Sequence, residues 1–193
     1  MARRSEETGP QRRTVQDDVR EQQLALQLNL SRSHSRMGSD ARDEFGNRYE
    51  LKTVTTRNVT TGRDIGPDYL DRLRQSYFIC ARGEYTDYGF HIRDIYLLAP
   101  EMMEEWIAGI ERRLASDRNL VDSALEALRR AGFAGDLSKL RQIGYRGFTL
   151  NNPKIPWSYI ESHGIRLEGE PALHLRELIH RYPIRSRPRG SPS

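Results

Sequence analysis

The chain has 193 residues, 36% hydrophobic and 8% aromatic, with 31 basic and 27 acidic side chains and a net charge of +4. That length suits one domain around one core. The mild basic excess is compatible with a polyanionic partner without requiring one, and no run approaches the ~18 apolar residues of a membrane span.

Taken in order, residues 1–14 are polar and expected to be mobile. The charged start Met1-Ala2-Arg3-Arg4 is followed by no apolar stretch of the kind a secretory signal needs. Leu24, Leu26, Leu28 and Leu30 alternate like a strand, yet Leu24 and Leu28 also share a helix face. A basic loop, Ser31-Arg32-Ser33-His34-Ser35-Arg36, follows. Phe45-Gly46-Asn47-Arg48 reads as a turn, because Gly and Asn tolerate positive φ. A strand over 49–55 comes next, then strands near 76–81 and 90–98 joined by a turn from Gly83 to Gly89. Cys80 lies in the apolar run Tyr77–Ala81 and reads as a buried structural thiol; a single cysteine forms no internal disulfide and fits a reducing cytoplasm.

Pro100 opens an amphipathic helix whose apolar face is Met103, Trp106, Ile107, Ile110 and Leu114. A second helix is predicted near 120–131, stopping at Gly132. Asp136 caps a third, short one ending at Gly144. Residues 157–162 give helical turns before Gly164, and 172–182 a last helix bearing Leu175, Leu178, Ile179 and Tyr182. The tail Arg185–Gly190, rich in Arg, Pro and Gly, reads as disordered. These elements predict an α/β fold, a central mixed β-sheet flanked by helices. The expected organisation is a polar N-terminus (1–14), one domain (15–183) and a basic tail (184–193).

Chemistry concentrates between Asp40 and Lys52. A strand puts Glu50 and Lys52 on one face, with Leu51 and Thr53 on the other. Folding back through the turn brings Asp40 alongside Glu50. Two carboxylates can then hold a hard divalent cation with an ammonium beside them, which is the equipment phosphodiester hydrolysis needs. On its own the motif more readily describes a solvated strand face with an i,i+2 ion pair. Asp43 and Glu44 are rival acids, placed in the turn. The five histidines and one cysteine form no zinc-ligand spacing.

Asp40…Glu50-Leu51-Lys52 is the Asp…Glu-x-Lys signature of the PD-(D/E)xK nucleases, and the wider chain resembles the PvuII restriction endonuclease family. The likeness starts at Gln16-Asp17-Asp18 and is clear from Ser39 to Thr53. It passes through Gly66-Pro67 to Arg74-Gln75 and Ile95–Pro100, and is closest at Asn151-Asn152-Pro153-Lys154-Ile155-Pro156, with Tyr159 and His163-Gly164 after it. The resemblance implies a restriction-endonuclease-like fold, a helix over the Leu24–Leu30 segment, and catalytic positions at Asp40, Glu50 and Lys52. It implies Mg²⁺ held by Asp40 and Glu50, the usual carboxylate-plus-phosphate chemistry of that ion. It implies base reading by Asn151 and Asn152, a phosphate near Lys154, and a base-reading acid at Asp17. Arg74 is carried as a further DNA-binding candidate. Residues 116–148 stand as a helical insertion, and the helix at 172–182 extends past the family's C-terminus.

Two departures matter. The family carries histidines over the central G·C pairs where Gly62, Arg63 and Asp64 stand, so its CAGCTG target is in doubt. Arg63 could read guanine and Asp64 accept from cytosine, or the two could form a surface ion pair of little worth. The family's tyrosine near the metals is Leu73 here, leaving Tyr69 as a candidate substitute. The implied function is a cytoplasmic, Mg²⁺-dependent type II restriction endonuclease. It would act on double-stranded DNA as a homodimer, paired with a DNA methyltransferase that protects host sites. The homodimer expectation places contacts in the Leu24–Leu30 segment and the helix at 172–182. The alternatives are a repair or junction-resolving PD-(D/E)xK nuclease and a DNA-binding module without catalysis. The base-reading asparagines argue against the first and the intact acid-acid-lysine set against the second.

Overall fold

The computed structural model describes residues 10–33, 39–147 and 149–184. The first helix, α1 (Pro10–Gln27), begins inside the stretch expected to be mobile. Five short or medium strands follow: β1 (Ser31–Arg32), β2 (Ala41–Arg42), β3 (Arg48–Val54), β4 (Asn58–Thr60) and, after helix α2 (Pro67–Leu73), β5 (Tyr77–Thr86). Next come β6 (Gly89–Leu98), α3 (Pro100–Arg130), α4 (Leu137–Gly147), β7 (Lys154–Pro156), α5 (Trp157–His163), β8 (Ile165–Arg166) and α6 (Pro171–Arg181).

Six strands form one sheet in the order β1-β2-β3-β5-β6-β8, and β4 pairs with β7 in a small second sheet. Only β3 and β5 run parallel; the other pairings are antiparallel. The sheet is therefore mixed and flanked by helices, as the sequence predicts.

Period-2 alternation sorts the side chains of β3 and β5 onto two cores. On one face Tyr49, Leu51, Tyr77 and Ile79 pack with Leu24 and Leu28 of α1 and Leu175 and Leu178 of α6. On the other, Phe78 and Cys80 pack with Leu70 and Leu73 of α2, Met103, Ile107 and Ile110 of α3, and Trp157 of α5. Within the segment expected to carry dimer contacts, Leu24 and Leu28 are buried in the chain's own core, at 0% and 2% exposure. Among the described residues, Val19 and Leu26 on α1 and Leu173 on α6 are large apolar side chains that stand exposed.

Other element boundaries also differ from expectation, α4 for instance running past Gly144 to Gly147. The helices predicted at Pro100 and near 120 are one continuous α3. The polar run Ser116-Asp117-Arg118-Asn119 contains no Gly or Pro, so nothing in it breaks the helix. Gly83 is no turn residue: β5 runs on to Thr86, and the register slips between Arg82 and Gly83. A Cβ at Gly83 would lie 2.2 Å from the His91 carbonyl oxygen, so the glycine permits close strand approach at a bulge. Asp136 does cap α4, its Oδ1 accepting from the Lys139 N–H at 3.0 Å. The Arg185–Gly190 tail and His34–Arg36 of the basic loop lie outside the described residues.

Candidate active site

The turn that folds β2 onto β3 is organised by Asp43. Its Oδ1 accepts from the N–H groups of Phe45 and Asn47 at 3.0 and 2.9 Å, and its Oδ2 accepts from Asn47 Nδ2 and the Tyr49 hydroxyl at 2.7 and 2.8 Å. Gly46 closes the turn at φ +82°. Glu44 faces α6 and pairs with Arg176 at 3.1 Å. Both rival acids thus have structural engagements away from the site.

That turn sets the register. Ala41 lies opposite Tyr49 and Arg42 opposite Arg48, so the next position brings Asp40 opposite Glu50. β2 stops there, leaving the edge of β3 without a backbone partner. Asp40 fills the gap: its Oδ2 accepts from the Leu51 N–H and from Lys52 Nζ, each at 2.9 Å. Lys52 Nζ also donates to the Leu51 carbonyl at 2.8 Å. Asp40, Glu50 and Lys52 line one cleft of about 460 Å³, together with Ser39, Gly62 and Tyr69.

The electrostatics follow from this crowding. Burial, and after it the neighbouring Asp40 carboxylate, push Glu50 up to about 8. Burial works against the charge on Lys52, but the carboxylates of Asp40, Glu21 and Glu50 outweigh it and hold the ammonium above the usual lysine range. Two opposed carboxylates can hold a hard divalent cation, which would displace the proton that Glu50 otherwise keeps. Ser39 Oγ is buried beside them without a hydrogen-bond partner among the described residues. Those residues contain no cluster of three acids, histidines or cysteines able to hold a metal. A cation here would complete its shell from water and substrate oxygens, as Mg²⁺ commonly does.

Glu21 of α1 is a member of this site that the sequence reading missed. Its Oε1 lies 3.5 Å from Lys52 Nζ and its Oε2 3.6 Å from Arg32. The signal was present: Glu21 shares the helix face of Leu24, Ala25 and Leu28 at i+3, i+4 and i+7, so an acid stands on an apolar stripe. Tyr69 and Leu73 are one helical turn apart on α2 and both line the cleft. Burial and the Glu50 carboxylate push the Tyr69 phenol up to about 12.

The candidate base readers converge beside this cleft. The β4–β7 pairing, with Val59 opposite Ile155, joins the two segments, and an isolated bridge ties Ile65 to Leu150. The Asn152 N–H donates to the Gly62 carbonyl at 3.2 Å. Arg63, Asp64, Asn151 and Lys154 are exposed and Asn152 half-buried. Asp64 and Asn152 both take left-handed backbone, φ +53° and +49°. Asp17 falls within α1, but its side chain lies outside the described residues. Arg74, the further DNA-binding candidate, pairs with Glu104 and Glu111 at 2.7 Å each, its side chain 12% exposed, and so braces α2 against α3.

Among the described residues no helix is long and apolar enough to cross a membrane. The family model for restriction endonuclease PvuII matches residues 13–124, which include Asp40, Glu50, Lys52 and the Arg63-Asp64 loop but end before Asn151. That match spans more than half of the chain, and on it the chain belongs to the PvuII restriction endonuclease family.

Proposed function

We propose that this member of the family makes double-strand cuts in DNA at a short palindromic sequence, as a homodimer, by Mg²⁺-dependent hydrolysis. The observation that carries the reading is the convergence of Asp40, Glu50 and Lys52 at the open edge of β3, with Asn152 bonded to the wall of the same cleft.

In this reading Asp40 and Glu50 are the metal ligands, and bound Mg²⁺ supplies charge stabilisation at phosphorus and a more acidic water. Lys52, kept as an ammonium by three carboxylates, acts as a fixed positive charge beside the pentavalent phosphorus. Asp40 also fixes the Lys52 side chain through the 2.9 Å bond. Asn151, Asn152, Arg63 and Asp64 read base edges, and Lys154 touches a phosphate. One chain carries one such set and cuts one strand, so a two-fold symmetric pair of chains suits a palindrome. A DNA methyltransferase acting on the same sequence would protect the host. Digesting a plasmid of known sequence with Mg²⁺ and mapping the ends tests the reading; a discrete fragment pattern is expected, and random degradation would point to a nuclease without base readers.

A further inference from the structure

Arg42 and Arg48 are direct cross-strand partners on β2 and β3. Opposed residues of an antiparallel pair point to the same face, and like charges there repel. Alternation adds that Asp40 and Arg42 on one strand, and Arg48, Glu50 and Lys52 on the other, all face one side. All five line the cleft. Both arginines are exposed, and neither has a carboxylate partner among the described residues. On the α2 wall Arg72 also lines the cleft, its guanidinium 5.3 Å from the Tyr69 ring centroid, again with no acid paired to it. This contrasts with Arg74 two residues on, which has three carboxylates within 3.5 Å. Among the described residues no ion pair offsets the Arg42–Arg48 repulsion.

We propose that Arg42, Arg48 and Arg72 grip backbone phosphates of duplex DNA on either side of the scissile one. The inference rests on the reading of the cleft as a DNA-cleaving site. The strand pair and the helix form the two walls, so a polyanion entering between them meets cations from both sides. Guanidinium forks suit phosphate oxygens and hold them in fixed orientation. The contacts carry no sequence information; they set the position of the strand over Asp40, Glu50 and Lys52.

The test uses the full chain, a fluorescent duplex of arbitrary sequence and Ca²⁺, with binding measured by anisotropy across a KCl series. The Arg42→Gln/Arg48→Gln double variant and Arg72→Gln are compared with the parent. The slope of log affinity against log salt should fall by about 0.9 per arginine removed, roughly 1.8 for the double variant. The melting temperature of the DNA-free double variant should stay level or rise, since repulsion is relieved. Unchanged slopes in variants of a parent that binds and cleaves DNA would overturn the phosphate grip and leave the nuclease reading standing. Lost affinity at unchanged slope, with a lowered melting temperature, would likewise overturn it by marking the arginines as structural. A parent that neither binds nor cleaves duplex DNA would remove both.

Discussion

Asp40 Oδ2 and Lys52 Nζ meet at 2.9 Å, at the point where β2 has ended and β3 would otherwise leave an unpaired edge. The same oxygen accepts from the Leu51 N–H. One carboxylate therefore completes the strand edge and holds the ammonium that faces the cleft.

Removing members of this set should separate binding from cleavage. Asp40→Ala and Glu50→Ala should abolish cleavage, and Asp40→Ala should also lower stability by ~1–3 kcal/mol because it strands the Leu51 N–H. Lys52→Ala should leave DNA binding in place while cleavage is lost. Gel-shift and plasmid cleavage assays on the three variants check this.

The Glu50 carboxyl, pushed up to about 8 from an ordinary 4.5, makes stability depend on pH in a set direction. The folded protein holds a proton that the unfolded chain has already released. Its stabilising contribution is complete below about 4.5 and is lost as pH rises through about 8. Chemical denaturation of the metal-free protein should thus show falling stability across that window, and Glu50→Gln should flatten the fall. Adding Ca²⁺ near neutral pH should release protons, readable by calorimetry in buffers of different ionisation enthalpy. Equal heats in all buffers would count against a proton held on Glu50.

Gly62 joins the proposed base-reading loop to the cleft through a steric contact. A Cβ there would stand 2.8 Å from the Tyr69 hydroxyl and 2.9 Å from two ring carbons. Gly62→Ala should push the phenol out of place, costing ~1–3 kcal/mol and reducing cleavage. Tyr69→Ala placed on top should recover the stability. A double-mutant cycle with no coupling would contradict the contact.

The left-handed φ of Asn152 changes how its role should be tested. Alanine would add backbone strain, whereas Asp tolerates that conformation. Asn152→Asp keeps the shape and removes the donor that adenine N7 needs. Cognate affinity should fall by ~1–3 kcal/mol, while affinity for non-specific duplex falls far less. Equal losses on both duplexes would assign Asn152 to the backbone or to structure.

Much of this site was legible in the sequence because its geometry is local. Alternation placed Glu50 and Lys52 on one face, and Gly46 marked the turn that returns Asp40. What escaped was long-range. Arg74 finds Glu104 and Glu111 only because α2 packs on α3. Glu21 reaches Lys52 only because α1 crosses β3, although its place on an apolar stripe was a visible warning. The Arg42–Arg48 opposition needs the β2–β3 register, which one residue of slip would have erased. The polar run at 116–119 suggests a break in α3, yet it holds no breaking residue and the helix is continuous.

The central claim is that Asp40, Glu50 and Lys52 form the centre that cuts DNA. Its most direct measurement is supercoiled plasmid cleavage with Mg²⁺ by the parent and by Lys52→Ala, at matched DNA binding. The account predicts discrete linear fragments from the parent and intact plasmid with the variant. Cleavage by Lys52→Ala at the parent rate, or a parent inactive with every divalent cation tried, would contradict it.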